Sequence, residues 1–142
     1  DSPIGNIDFS EVINGVQNLV NLSGKNVLIV DDNKVNILIA ERIIKNFNAE
    51  ISTCMNGYDA IDLIKNNNYD LVLLDHMMPE IDGIETMKEL KKLNIKLPII
   101  IALTANSYDG LKDMYKNEGF NDYIAKPINL KELNKILKEY FK

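Results

Sequence analysis

The chain has 142 residues, enough for one domain with a single good core. Its 46% hydrophobic and 26% charged residues suit an ordinary globular protein, and no apolar run nears the ~20 residues that cross a bilayer. A net charge of −5 without a Lys/Arg cluster argues against direct nucleic-acid binding, and no membrane contact by this segment is expected.

The first residues, DSPIGNIDFS, carry neither an initiator Met nor the basic-then-apolar layout of a signal peptide, so a cut or processed fragment is expected. Phe9, Val12, Ile13, Val16, Leu19 and Val20 follow helical spacing, and the stretch ends at Ser23-Gly24. Residues 1–24 therefore read as a linker or leader helix from an upstream region, with a domain over 25–142.

From Asn26 onward short apolar runs alternate with helical periods. VLIV (27–30) is followed by a helix marked by Val35, Leu38, Ile39, Ile43 and Phe47. The weaker ISTCM (51–55) precedes Ala60, Ile61 and Ile64. LVLL (71–74) precedes Ile84, Met87 and Leu90, and IIIAL (99–103) precedes Leu111, Met114 and Tyr115. DYIA (122–125) comes before Leu130, Leu133, Leu137 and Tyr140. Five strands alternating with five helices predict an α/β fold, a parallel sheet with helices on both faces. The three near-continuous apolar runs should be its central strands. Asn33, Asn56 or Gly57, Asp82 and Asn129 stand where helix N-caps are needed, and Gly119 where the fourth helix would end.

The lone Cys54 excludes an internal disulfide and any multi-Cys metal site; it reads as a small buried thiol in a reducing, cytoplasmic setting. His76 reads as an exposed loop residue, because no second imidazole accompanies it. Met77 and Met78 read as loop and packing residues, and Pro79 and Gly83 as shaping the turn and the next helix start.

Ligands of open parallel sheets bind beyond the carboxyl ends of the strands. There this sequence places Asp31 and Asp32 after VLIV, Asp75 after LVLL, Thr104 after IIIAL and Lys126 after DYIA. Asp and Asn are common at strand ends because they start turns and cap helices, so each position alone carries little weight. Together they are informative. Three crowded carboxylates repel one another unless a cation joins them, and a hard ion such as Mg²⁺, with oxygen ligands and retained waters, suits an incomplete site. Lys126 offers a point charge, and Thr104 a hydroxyl, to phosphoryl oxygens. The set looks like a device for phosphoryl transfer to a carboxylate nucleophile.

VLIVDDN, LVLLDHMMPEIDG, IIALTA and DYIAKP strongly resemble the signature segments of bacterial receiver (response-regulator) domains of two-component systems, over about residues 25–142. The resemblance implies a flavodoxin-like sheet in strand order 2-1-3-4-5. It implies Asp75 as the phosphorylated residue, Asp32 as a direct Mg²⁺ ligand and Asp31 as one acting through water. Met77 would add its backbone carbonyl. Thr104 and Lys126 would contact the phosphoryl group, with Pro127 after a cis peptide, and Tyr123 would be the aromatic switch. A histidine kinase or histidine phosphotransfer domain is the implied donor, and a downstream protein the implied target.

The Asn spacing in VDDNKVN and the ALTANS segment resemble receivers at the C-terminal end of hybrid sensor histidine kinases. The chain stops one helix after Lys126, without room for a DNA-binding output domain. A hybrid-kinase parent, itself open to membrane anchoring, is therefore expected ahead of a free-standing or N-terminally fused receiver.

Three other readings fit less well. A flavodoxin-like FMN carrier needs a hydroxyl- and Gly-rich loop where Asp31 and Asp32 stand. A phosphatase with an Asp nucleophile normally offers a second acid where Met77 stands. A degenerate receiver should lack one of the acidic, Thr or Lys positions, and all are present.

Overall fold

Local sequence accounts for most of the secondary structure in the computed structural model, which describes residues 18–141. Five strands, β1 (Asn26–Val30), β2 (Glu50–Cys54), β3 (Leu71–Asp75), β4 (Ile99–Thr104) and β5 (Asp122–Ala125), alternate with five helices. These are α1 (Lys34–Lys45), α2 (Gly57–Asn66), α3 (Gly83–Lys92), α4 (Leu111–Asn117) and α5 (Leu130–Tyr140). Each expected cap is in place. The side chains of Asn33, Asn56, Asp82 and Asn129 accept backbone N–H groups of the first turns of α1, α2, α3 and α5, and Asp82 forms a reciprocal capping box with Glu85. Gly119, past the end of α4, adopts φ +109°, a conformation that costs glycine nothing.

All strand pairs are parallel, in the order β2-β1-β3-β4-β5. The three apolar runs are the central strands, as expected, and their alternate residues feed two cores. Val27, Ile29, Leu71, Leu73, Ile101 and Leu103 pack under α1 and α5; Leu28, Val30, Val72, Leu74, Ile100 and Ala102 pack under α2, α3 and α4. Order 2-1-3-4-5 reverses direction between β1 and β3, which opens a crevice above their carboxyl ends.

Two details differ from the expected burial. In α1 the core face is Ile37, Ala40 and Ile44, while Val35, Leu38 and Ile39 point outward, 62%, 54% and 42% exposed. The helix is apolar nearly all round, so spacing identifies it without choosing its buried side. Cys54 is half-buried, because β2 is an edge strand; burial still pushes its thiol up to about 11, which leaves it unreactive near neutrality.

Residues 1–17, where most of the expected leader helix falls, lie outside the described residues. Leu22 is fully buried in the α1/α5 core and its N–H donates to the Phe47 carbonyl at 2.6 Å; the Val20 N–H donates to Asn134 Oδ1 at 2.9 Å. Among the described residues no helix is long and apolar enough to cross a membrane.

Candidate functional site

Four strand ends deliver the polar residues to one place. Asp31 follows β1, Asp75 ends β3, Thr104 ends β4 and Lys126 follows β5. Carboxylate oxygens of Asp31, Asp32 and Asp75 come within 4.8 Å of one another. Asp31 and Asp75 are buried and Asp32 is exposed. The Lys126 ammonium bridges the buried pair, 2.8 Å from Asp75 Oδ1 and 3.2 Å from Asp31 Oδ2. The other Asp31 oxygen accepts the Asn33 N–H at 2.9 Å, so a residue that caps α1 also fixes a site carboxylate.

Electrostatics follow from this crowding. Burial raises the Asp75 pKa to about 6, with the Asp31 and Asp32 charges adding to the effect and the Lys126 hydrogen bond opposing it. Burial works against the charge on Lys126. The hydrogen bond and charge of Asp75, with those of Asp31, outweigh it and hold the ammonium above its ordinary range. Lys126 is thus a dependable cation, and Asp75 a carboxylate that is ionised above about pH 6 at a cost.

Thr104 is buried, and its hydroxyl accepts the Asn106 N–H at 3.1 Å; its carbonyl accepts the Lys126 N–H at 2.7 Å. The Lys126–Pro127 peptide is cis. Tyr123 sits on edge strand β5, half-buried, with its ring 5.7 Å from that of Tyr115. Met77 is 70% exposed in the loop after β3.

The backbone beneath Asp75 is held tightly. The His76 N–H donates to the Leu103 carbonyl at 3.0 Å, and its carbonyl accepts from Gly83 at 2.8 Å. His76 itself is half-buried, not a free loop residue: its Nδ1 lies 2.7 Å from the Tyr115 hydroxyl. Tyr115 was legible as part of a helix core face, but nothing local in the sequence marks its hydroxyl as a neighbour of the site.

The donor set tests what ion would fit. Among the described residues the cluster's potential metal ligands are the carboxylate oxygens of Asp31, Asp32 and Asp75, without a Cys or His in the group, which matches a hard, oxygen-seeking cation such as Mg²⁺. Residues 27–138 match the response regulator receiver domain family over the segment that carries all of these groups. The chain belongs to that family.

Relatives bear on how receivers are deployed. This receiver is 33% identical over 122 residues to the aerobic respiration control sensor protein ArcB of Escherichia coli (strain K12). The match takes in 84% of this chain and 16% of ArcB, so the chain spans a small part of that relative's length. A co-crystal structure of the Saccharomyces cerevisiae histidine phosphotransfer signaling protein Ypd1 with the receiver domain of its downstream response regulator Ssk1 matches at TM-score 0.74. It is 29% identical, covering 88% of this chain and 92% of that one. The receiver domain of the histidine kinase CKI1 from Arabidopsis thaliana, crystallised with Mg²⁺, matches at TM-score 0.73 and 25% identity, covering 86% and 98%.

Proposed function

We propose that this receiver takes a phosphoryl group from a phosphohistidine onto Asp75, and that Mg²⁺ binds at Asp31, Asp32, Asp75 and the Met77 carbonyl. The observation that carries the reading is Lys126 bridging Asp75 and Asp31, at 2.8 and 3.2 Å, beside a cluster of three carboxylates. When bound, Mg²⁺ supplies charge that offsets the carboxylates and the incoming phosphoryl oxygens. In the transfer the phosphorus–nitrogen bond of the donor breaks and a bond from phosphorus to an Asp75 carboxylate oxygen forms. The imidazole leaves with the electron pair. Asp75 must be ionised to attack, which its pKa of about 6 permits at neutral pH. Lys126 and Thr104 then hold phosphoryl oxygens, so catalysis is positioning and charge stabilisation.

The match to a small part of a long sensor protein, and to receivers carried by a histidine kinase or bound to a phosphotransfer protein, supports a hybrid-kinase or phosphorelay setting. In that reading residues 1–24 link to an upstream region, the partners are a histidine kinase or phosphotransfer domain and a downstream protein, and the domain works in the cytoplasm. The test is mass spectrometry after incubation with a small phosphodonor and Mg²⁺. One added phosphoryl group on Asp75 is expected; an unmodified chain would sink the reading.

The metal carries its own prediction. Excess chelator should abolish labelling, and Mg²⁺ at a hundred times its dissociation constant should stabilise the fold by about 2.7 kcal/mol. Asp32→Ala should weaken Mg²⁺ binding more than Asp31→Ala, as titration followed by thermal melting would read. Labelling that is equal with and without chelator would refute the metal site.

Signalling should separate from chemistry. Thr104 leaves its bond to the Asn106 N–H when it turns to the phosphoryl group, and Tyr123 then moves inward. Thr104→Ala should therefore label but respond weakly. Tyr123→Ala should label normally and change partner affinity. Were Tyr123 only a packing aromatic, its loss would instead cost about 3–5 kcal/mol of stability without a selective signalling defect. Melting curves beside a labelling and binding assay distinguish the two.

A further inference from the structure

A buried phenol needs a partner for its hydroxyl. Tyr115 on α4 is fully buried, and the partner it finds is Nδ1 of His76, 2.7 Å away. The two rings meet edge to face, centroids 5.5 Å apart at 79°. On its other sides Tyr115 packs edge-on to Phe120 at 5.3 Å and against Tyr123 at 5.7 Å. His76 directly follows Asp75, and its backbone is fixed by hydrogen bonds to Leu103 and Gly83. A line of touching residues therefore runs from Asp75 through His76 and Tyr115 to Tyr123.

Contiguity is not yet coupling, which requires an element with two arrangements. Tyr115 qualifies on packing grounds. Its ring fills the interior between His76 and Tyr123 without exposed surface, so Tyr123 can move inward only if Tyr115 yields. Close-packed interiors make such a move a step and not a gradual slide.

We propose that the His76–Tyr115 hydrogen bond is a latch on the unphosphorylated arrangement of the α4–β5 face, and that Tyr115 is a positioning residue acting through Tyr123. The proposal rests on the phosphoacceptor reading above. A phosphoryl group on Asp75 draws Thr104 and Lys126 toward it and strains the end of β3. The latch then opens, Tyr115 shifts and Tyr123 moves in. Opening forfeits one hydrogen bond, so removing that bond in advance should favour the open arrangement by roughly 2- to 10-fold.

The test uses amide NMR of the full chain with Mg²⁺, before and after a small phosphodonor, with mass spectrometry of the same samples. Wild-type spectra fix the two end positions of the α4 and β5 signals. Tyr115→Phe keeps the ring and deletes the hydroxyl; His76→Phe keeps an aromatic and deletes the ring nitrogen that shares the bond. Before any phosphodonor is added, each variant should move these signals along the wild-type line, raising the open-to-closed ratio roughly 2- to 10-fold. The double variant should go no further, since both changes remove the same bond. Labelling should match wild type. A purely structural role would lower the melting temperature without movement along that line. Signals at wild-type positions, shifts off the line, additive effects or lost labelling would each overturn the latch. A wild-type chain that gains no phosphoryl mass overturns the phosphoacceptor reading itself, and that result is seen before any variant is compared.

Discussion

Asp75→Asn is expected to take up no phosphoryl group and, in the absence of divalent ions, to be more stable than the wild-type chain at pH 8. The first effect is chemical: an amide of nearly the same shape is a poor nucleophile. The second follows from the cost of ionising Asp75 where it stands. Its pKa is raised from 3.8 to about 6, first by burial and then by the Asp31 and Asp32 charges, against the pull of Lys126. Below about pH 4 the carboxyl is protonated whether the chain is folded or unfolded, and it costs nothing. Between about 4 and 6 the unfolded chain gives up the proton while the folded one keeps it, so stability falls as pH rises. Above about 6 both are ionised and the full penalty remains, at most ~3 kcal/mol for a displacement of about two pH units. The Asn variant should thus gain about 1–3 kcal/mol at pH 8 and nothing near pH 4. Urea titrations at the two pH values, with chelator present, measure both ends. An equal difference at pH 4 and pH 8 would mean that Asp75 is not an ionisation liability, and stable labelling of the variant would remove Asp75 from its assigned place.

Much of this site is legible because strand ends are legible. VLIV, LVLL and IIIAL are apolar on both faces, which marks them as central strands, and the residue that breaks each run must lie at the carboxyl rim. The caps were readable for a similarly local reason, since Asn33, Asn56, Asp82 and Asn129 each satisfy N–H groups two or three residues on. What escaped is set by longer-range contact. The α1 sequence KVNILIAERIIK has apolar residues on nearly every side, so only the sheet decides that Ile37, Ala40 and Ile44 face inward. His76 and Tyr115 are 39 residues apart, and neither carries a local sign of the other. Leu22 precedes the first strand, in a stretch whose composition resembles a leader, yet it is fully buried in the α1/α5 core.

Gly83→Ala should lower stability by about 2 kcal/mol net, with overpacking costing about 3 and helix propensity returning about 1, and slow the labelling of Asp75. Gly83 opens α3 directly against the end of β3. A Cβ there would lie 2.5 Å from the Asp75 carbonyl oxygen and 2.9 Å from the His76 Cα. Both are backbone atoms, and the same backbone holds hydrogen bonds to Leu103 and to Gly83 itself, so neither can swing aside as a side chain would. Relief must come from α3 backing away, which pulls the fully buried Met87 and Leu90 from the core, or from the β3 end moving and taking Asp75 with it. The helix propensity that Ala gains over Gly, about 1 kcal/mol, offsets only part of this. Gly110 supplies the control. It has φ +89° and open space around it, so Gly110→Ala meets only the left-handed backbone penalty, about 1 kcal/mol. The melting temperature should therefore fall by about 7 °C for Gly83→Ala and by about half of that for Gly110→Ala. Labelling should slow for the first alone, because an ångström of misplacement at a reacting atom costs up to ~100-fold in rate. If both variants melt alike and label at the wild-type rate, the β3–α3 contact does not hold Asp75 in position.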